Sequence, residues 1–213
     1  MQAPEGIIFD MDGTLWDAVD TYAACWNLTF EHFGLDRHFT RDDLLHLMGQ
    51  DSHAILRAVF PDFTDEQRTE AFHQVFALQD ELQQTMGGVL YPGVKEGIIA
   101  LSENYRLFMA SNCEKNGLKL FLKWAGLERY VEDEITYGAT FLPKHRNIRI
   151  LMEKHNLQSA VYVGDTDTDS RESELAGIPF VYMAYGFGQT EHYALRFGSF
   201  GEFSRYFLRL KSR

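Results

Sequence analysis

Asp10 and Asp12 stand one residue apart at the end of the apolar run Gly6–Phe9, in the stretch GIIFDMDGTLWD. Alternate residues of a strand point to the same side, so if the extended geometry continues past Phe9 both carboxylates face one cleft. Asp-Gly is also ordinary turn chemistry, and the pair alone does not separate the two readings. A second acidic group follows another apolar run: VYVGDTDTDS places Asp165, Asp167 and Asp169 just beyond Val163. If the two runs are neighbouring strands, up to five carboxylates crowd one sheet edge. Such crowding is costly without a cation, and an all-oxygen set suits Mg2+. Two further residues lie between these groups. The run from Tyr105 to Ala110 ends in Ser111-Asn112, where a hydroxyl and the following N–H groups could hold phosphate oxygens at a helix start. Ser111 and Glu114 also fit the spacing of a capping box, which is the favoured reading of Ser111 taken alone. In FLPKHRNI, Lys144 precedes a helical pattern, and an isolated lysine there is ordinarily a solvated charge.

The elements that must position these residues are legible as two alternating patterns. Short apolar runs with strand character occur at Gly6–Phe9, Tyr105–Ala110, Glu134–Tyr137, Ala160–Val163 and Pro179–Tyr182. Helical patterns lie between the later ones, at Gly93–Glu103, Lys115–Gly126, Arg146–His155 and Ser170–Ala176. Strands alternating with helices predict a parallel sheet covered on both faces, with ligands bound at the C-terminal strand edge. From about Ala18 to Gly88 the pattern changes: no strand is evident, and helical stripes fall at Val19–Phe33, near Arg41–Leu47 and Ser52–Phe60, and at Asp65–Met86. This predicts an all-helical insertion after the first strand. Near the C-terminus, Phe200, Phe203, Phe207 and Leu210 share one helical face, which predicts a core-facing stripe.

The chain has 213 residues, with 20 Lys+Arg against 31 Asp+Glu and a formal net charge of −11. That excess of anions argues against a nucleic-acid partner, which needs cations to follow a phosphate backbone. A small phosphate substrate remains compatible, provided the site makes its own attraction. Cys25 and Cys113 form no CxxC pair, the N-terminal MQAPEG has no signal-peptide character, and no apolar stretch reaches the length of a membrane span. A cytoplasmic protein without membrane or nucleic-acid partners is expected.

Taken in order, DMDGT, Ser111, Lys144 and GDTDTD resemble the four motifs of the haloacid dehalogenase superfamily of phosphatases, and the resemblance covers the whole chain. The helical insertion looks like the C1 cap of phosphoglycolate-phosphatase-like members. The resemblance implies a Rossmann-like α/β core at 1–17 and 89–213 and a cap at 18–88. It implies Asp10 as nucleophile and Asp12 as general acid, then base. It implies Mg2+ on Asp10, Asp165 and Asp169 with the backbone carbonyl of Asp12, charge compensation by Lys144, and Ser111 with Asn112 orienting the phosphoryl group. The implied substrate is a small phosphorylated metabolite, a phosphoglycolate- or sugar-phosphate-like monoester, and the implied assembly a monomer or homodimer. In the insertion, LMGQDS offers Gln50 and Asp51 to read polar substrate groups, or is an ordinary turn with Asp51 or Ser52 as N-cap. Asp167 is expected as a solvated turn residue and Trp16 as packing at the hinge. Thr14 and Gly13 should shape the turn, and His145 has no assigned role. Departures from the family pattern are the missing Lys-Pro-x-Pro around Lys144, with Lys115 as the alternative cation, Ala18 after Asp17, and the polar run Arg171–Glu174. A phosphomutase would share these core motifs, and a non-catalytic phosphate-binding regulatory domain is the remaining class. A 2-haloacid dehalogenase has no need of Asp12.

Overall fold

A computed structural model of the chain describes residues 2–48 and 52–211. Six strands form one parallel sheet in the order β5-β4-β1-β6-β7-β8. They are β1 (Gly6–Phe9), β4 (Arg106–Ser111), β5 (Asp133–Thr136), β6 (Ala160–Gly164), β7 (Phe180–Met183) and β8 (Leu195–Phe197). A two-stranded antiparallel ribbon joins β2 (Trp16–Asp17) to β3 (Val89–Leu90), with Trp16 opposite Leu90. Among the described residues four helices lie between β2 and β3: α1 (Val19–His32), α2 (Arg41–Leu45), α3 (Ser52–Val59) and α4 (Asp65–Thr85). The remaining α-helices are α5 (Val94–Ser102), α6 (Gly117–Ala125), α7 (Tyr137–Thr140), α8 (Lys144–Lys154), α9 (Asp167–Ala176) and α10 (Phe200–Lys211).

Strand pleating divides the core in two. Ile7, Phe9, Leu107, Met109, Val161 and Val163 are buried on one face, against α5, α6 and α10. Ile8, Phe108, Ala110 and Tyr162 are buried on the other, against Ile148 and Leu151 of α8 and Ala176 of α9. Strands covered on both faces read as continuous apolar runs, which is why β1 and β6 stand out in the sequence. Of the predicted stripe, Phe200, Phe203 and Phe207 are buried and Leu210 is half-buried, and α10 packs on α5.

The differences are local. Helix α9 begins at Asp167 and not at Ser170, because Thr166 and Asp169 form a reciprocal capping box. Helix α8 begins at Lys144 and not at Arg146, with Pro143 as its N-cap. Helix α6 begins at Gly117 after Asn116, so Ser111 caps nothing and instead ends β4. The short elements β2, β3, β8 and α7 have no counterpart in the sequence reading.

Candidate active site

The site lies where the strand order reverses. From β1 the sheet grows toward β4 on one side and toward β6 on the other, so the C-terminal ends of these three strands open into one crevice. Register places Phe9 beside Met109 and Val163, which brings Asp10, Ser111 and Asp165 to the same edge. The Asp10 N–H donates to the Val163 carbonyl at 2.8 Å, extending β1 by one residue.

Asp10, Asp165 and Asp169 are buried, and a carboxylate oxygen from each lies within 4.8 Å of the others. Lys144 is buried with them, its Nζ 2.6 Å from Asp169 Oδ1 and 3.2 Å from Asp10 Oδ2. Burial pulls the Lys144 ammonium down, but the two carboxylates outweigh it and hold its pKa above the usual lysine range. Lys115, the alternative cation, is exposed to solvent. Asp169 accepts at Oδ2 from the N–H groups of Asp165 and Thr166, at 3.2 and 3.0 Å. Asp165 accepts from the Thr14 hydroxyl at 3.0 Å and from the Phe187 N–H at 2.7 Å. Burial, then the charges of Asp169 and Asp10, push the Asp165 carboxyl well above the ordinary range. Asp10 Oδ1, by contrast, is buried without a hydrogen-bond partner among the described residues. Burial raises Asp10 to about 6, against the pull of Lys144.

Asp12 sits apart from this cluster. Its Oδ1 accepts from Trp16 Nε1 at 3.0 Å and from the Tyr22 hydroxyl at 2.9 Å, and Tyr22 in turn accepts from Gln83 Nε2 at 3.2 Å. Burial, reinforced by the charge of Asp10, raises Asp12 to about 7. The Asp12 carboxylate is therefore not one of the clustered acids. Asp167 also lies outside the cluster, accepting from the Thr190 hydroxyl at 3.0 Å and pairing with Arg171. Trp16 is buried against Phe121, as a packing residue would be, yet it also orients Asp12. His145 is held by Glu172 at 2.9 Å, which gives part of the polar run Arg171–Glu174 a structural partner.

Several contributors carried no sequence signal. Thr14 does more than shape a turn, since its hydroxyl holds Asp165. The loop after β7 wraps Asp165 through the Phe187 N–H, and the Tyr185 hydroxyl donates to the Thr14 carbonyl at 2.6 Å. A side chain on Gly13 or on Gly186 would overlap Asp165, and Gly13 has φ +78°. The Gly pair in YGFG was the one available hint. Tyr22 and Gln83 reach the site from α1 and α4, beyond the range of any local motif.

Above the carboxylates opens a cavity of about 100 Å³, bordered by Asp10, Asp12, Ser111, Asn112 and Lys144 below and by residues of α1 to α4 and the segment after α2 above. Gln50 and Asp51 lie outside the described residues.

The family model for haloacid dehalogenase-like hydrolases matches residues 7–183. A phosphoglycolate phosphatase of Agrobacterium fabrum is 30% identical over 190 residues, covering 84% of this chain and 80% of its own length. Pyrophosphatase PpaX of Listeria monocytogenes is 27% identical over 194 residues, covering 88% and 87%. Among solved structures, a predicted phosphoglycolate phosphatase from Haemophilus somnus matches with a TM-score of 0.85 at 20% identity, over 97% of this chain and 99% of that one. A haloacid dehalogenase-like hydrolase from Streptococcus pneumoniae matches with a TM-score of 0.84 at 19% identity, over 97% and 100%. At such identities the structures speak to the fold, and the family model to descent: this chain belongs to the haloacid dehalogenase-like hydrolases.

Proposed function

We propose that the protein is a Mg2+-dependent phosphatase that hydrolyses a small phosphate monoester through an aspartyl-phosphate on Asp10. The observation that carries this reading is the buried Asp10 carboxylate, one oxygen held by Lys144 and the other unpartnered, on the floor of a cavity. Three clustered carboxylates against one lysine leave the site short of positive charge. That deficit, and the orphaned Asp10 oxygen, fit a hard divalent cation held by Asp10, Asp165 and Asp169. When bound, Mg2+ would supply the charge that lets a carboxylate approach a phosphate dianion.

The chain's own residues then account for both halves of the reaction. An Asp10 oxygen attacks phosphorus, forming the Asp10–phosphate bond as the bond to the leaving oxygen breaks. Asp12, raised to about 7, holds a proton near neutral pH and gives it to that oxygen. The same carboxylate, now ionised, takes a proton from water as the water oxygen attacks phosphorus and the Asp10–phosphate bond breaks. Lys144 stabilises the phosphoryl oxygens, and Ser111 with Asn112 orients them. Residues 18–88 act as the cap over a core formed by 1–17 and 89–213, a division supported by the ribbon β2–β3 at the junction. A small phosphorylated metabolite, turned over in the cytoplasm, is the expected substrate.

Phosphate release from nitrophenyl phosphate, measured for the wild-type protein and for Asp10→Asn with its fold checked by circular dichroism, tests the reading. Turnover by the wild type that vanishes in the variant is expected. Unchanged release from Asp10→Asn contradicts it.

A further inference from the structure

We infer that the alcohol half of the substrate is uncharged and predominantly apolar, an aryl or arylalkyl group more than a carboxylate or a second phosphate. The inference rests on the phosphatase reading and names the class of ester that this site accepts.

The upper wall of the cavity is built from Trp26, Leu44, Leu47, Met48, Ile55 and Phe76. Tyr22, Gln79 and Gln83 add neutral polar groups, while the ionisable groups on this side are acidic, Asp80 from α4 and Glu114 from the loop after β4. Among the described lining residues Lys144 is the one lysine or arginine, and its ammonium is committed to Asp10 and Asp169.

A distal anion needs a second cation, and the insertion has few to give. Residues 18–88 contain four arginines, no lysine and twelve acidic residues. Arg37 donates to the Val59 carbonyl, and Arg41 is paired with Asp17 and Asp20. Arg68 is spent on the Phe60 and Pro61 carbonyls and Asp65. Arg57 borders a different cavity, with His53, Phe72 and His73. Gly49, Gln50 and Asp51 bring no cation by their identity. A carboxylate or phosphate carried past Asp10 would thus lose its hydration against apolar carbons and meet Asp80 without a counter-charge. An aromatic or alkyl group loses nothing of the kind and is favoured by every square ångström it removes from water.

The test compares kcat/KM of the Mg2+-loaded wild-type protein for benzyl phosphate, 2-phosphoglycolate, pyrophosphate and phosphocholine, with nitrophenyl phosphate as the general readout of turnover. Benzyl phosphate is expected to exceed each of the other three by at least about tenfold. Faster turnover of 2-phosphoglycolate, pyrophosphate or phosphocholine than of benzyl phosphate overturns the inference and leaves the phosphatase reading intact. No turnover of any ester, nitrophenyl phosphate included, instead defeats the phosphatase reading itself. A binding measurement gives an independent check: benzylphosphonate should raise the melting temperature more than phosphonoacetate does, and the reverse order counts against the inference. Placing a cation on the wall with Ile55→Arg should shift the ratio of 2-phosphoglycolate to benzyl phosphate toward the anionic ester by about tenfold or more. An unchanged ratio in a folded Ile55→Arg protein also counts against it.

Discussion

Adding Mg2+ to the metal-free protein should raise its melting temperature substantially, and the rise should grow with pH. Carboxylate oxygens of Asp10, Asp165 and Asp169 lie within 4.8 Å of one another. At that separation two unit charges repel by about 3.5 kcal/mol at an effective dielectric of 20. Lys144 offsets the repulsion at Asp10 and Asp169 but makes no ion pair with Asp165. A ligand at a hundredfold excess over its Kd stabilises by about 2.7 kcal/mol, which for a chain of this size is a shift of ~5–11 °C. The pH dependence follows from the raised acids. Asp10 titrates at about 6 in the folded chain against an ordinary 3.8, because of burial, and burial with the charges of Asp169 and Asp10 also holds Asp165 well above the ordinary range. The folded metal-free protein then binds protons that the unfolded chain releases, so its stability is full at low pH and falls as pH rises through the folded pKa values. From about pH 4 up to about 6.5, the span between the unfolded and folded values of Asp10, the metal-free melting temperature should fall, and Mg2+, which replaces those protons, should remove the fall. Differential scanning fluorimetry with chelator and with millimolar Mg2+, on the wild type and on Asp165→Asn, reads both effects. No shift at pH 8, or an equal shift in Asp165→Asn, refutes the reasoning.

Gly13→Ala should cost ~1–2 kcal/mol from the left-handed backbone alone, and more from the overlap with Asp165, so both the melting temperature and its response to Mg2+ should drop; an unaltered response would free Gly13 from any part in shaping the site. Tyr22→Phe removes one of the two hydrogen bonds into Asp12 Oδ1. Such a bond to a neutral acid is worth ~0.5–1.5 kcal/mol, so kcat for an alkyl phosphate should fall about two- to tenfold while first-turnover nitrophenol release from nitrophenyl phosphate barely changes. Equal losses on both substrates would make Tyr22 a merely structural residue.

What could be read from the sequence depended on how local the cause was. The strands β1 and β6 are buried on both faces, so they appear as apolar runs, and the acids at their ends mark the edge where they meet. Ser111 shows the opposite. Its spacing to Glu114 satisfies a capping rule, yet the helix starts later, after Asn116, because β4 extends to Ser111 in register with Thr136 of β5. No local pattern reports that pairing. Asp169 was legible as an acid but not as half of a capping box, since Thr-x-x-Asp is a weaker signal than Thr-x-x-Glu. Strand β8 has three residues, at the sheet edge, with none fully buried, so it leaves no apolar run to find. The cradle around Asp165 is made by a backbone N–H, a threonine hydroxyl and two close glycines, none of which has a periodic signature. Tyr22 reaches Asp12 from a helix of the insertion, a contact only the packed structure reveals.

The central claim is that Asp10 attacks and Asp12 moves the protons, and Asp12→Asn with nitrophenyl phosphate tests it most directly. Nitrophenolate leaves without a proton, so attack by Asp10 should proceed in this variant, while hydrolysis of the aspartyl-phosphate lacks its base and should slow ~10²–10⁴-fold. The expected trace is a burst of about one nitrophenol per enzyme followed by a stall. Acid quenching during the stall should recover phosphate on the peptide that contains Asp10. Phosphate on any other residue, or steady turnover at the wild-type rate, contradicts the account.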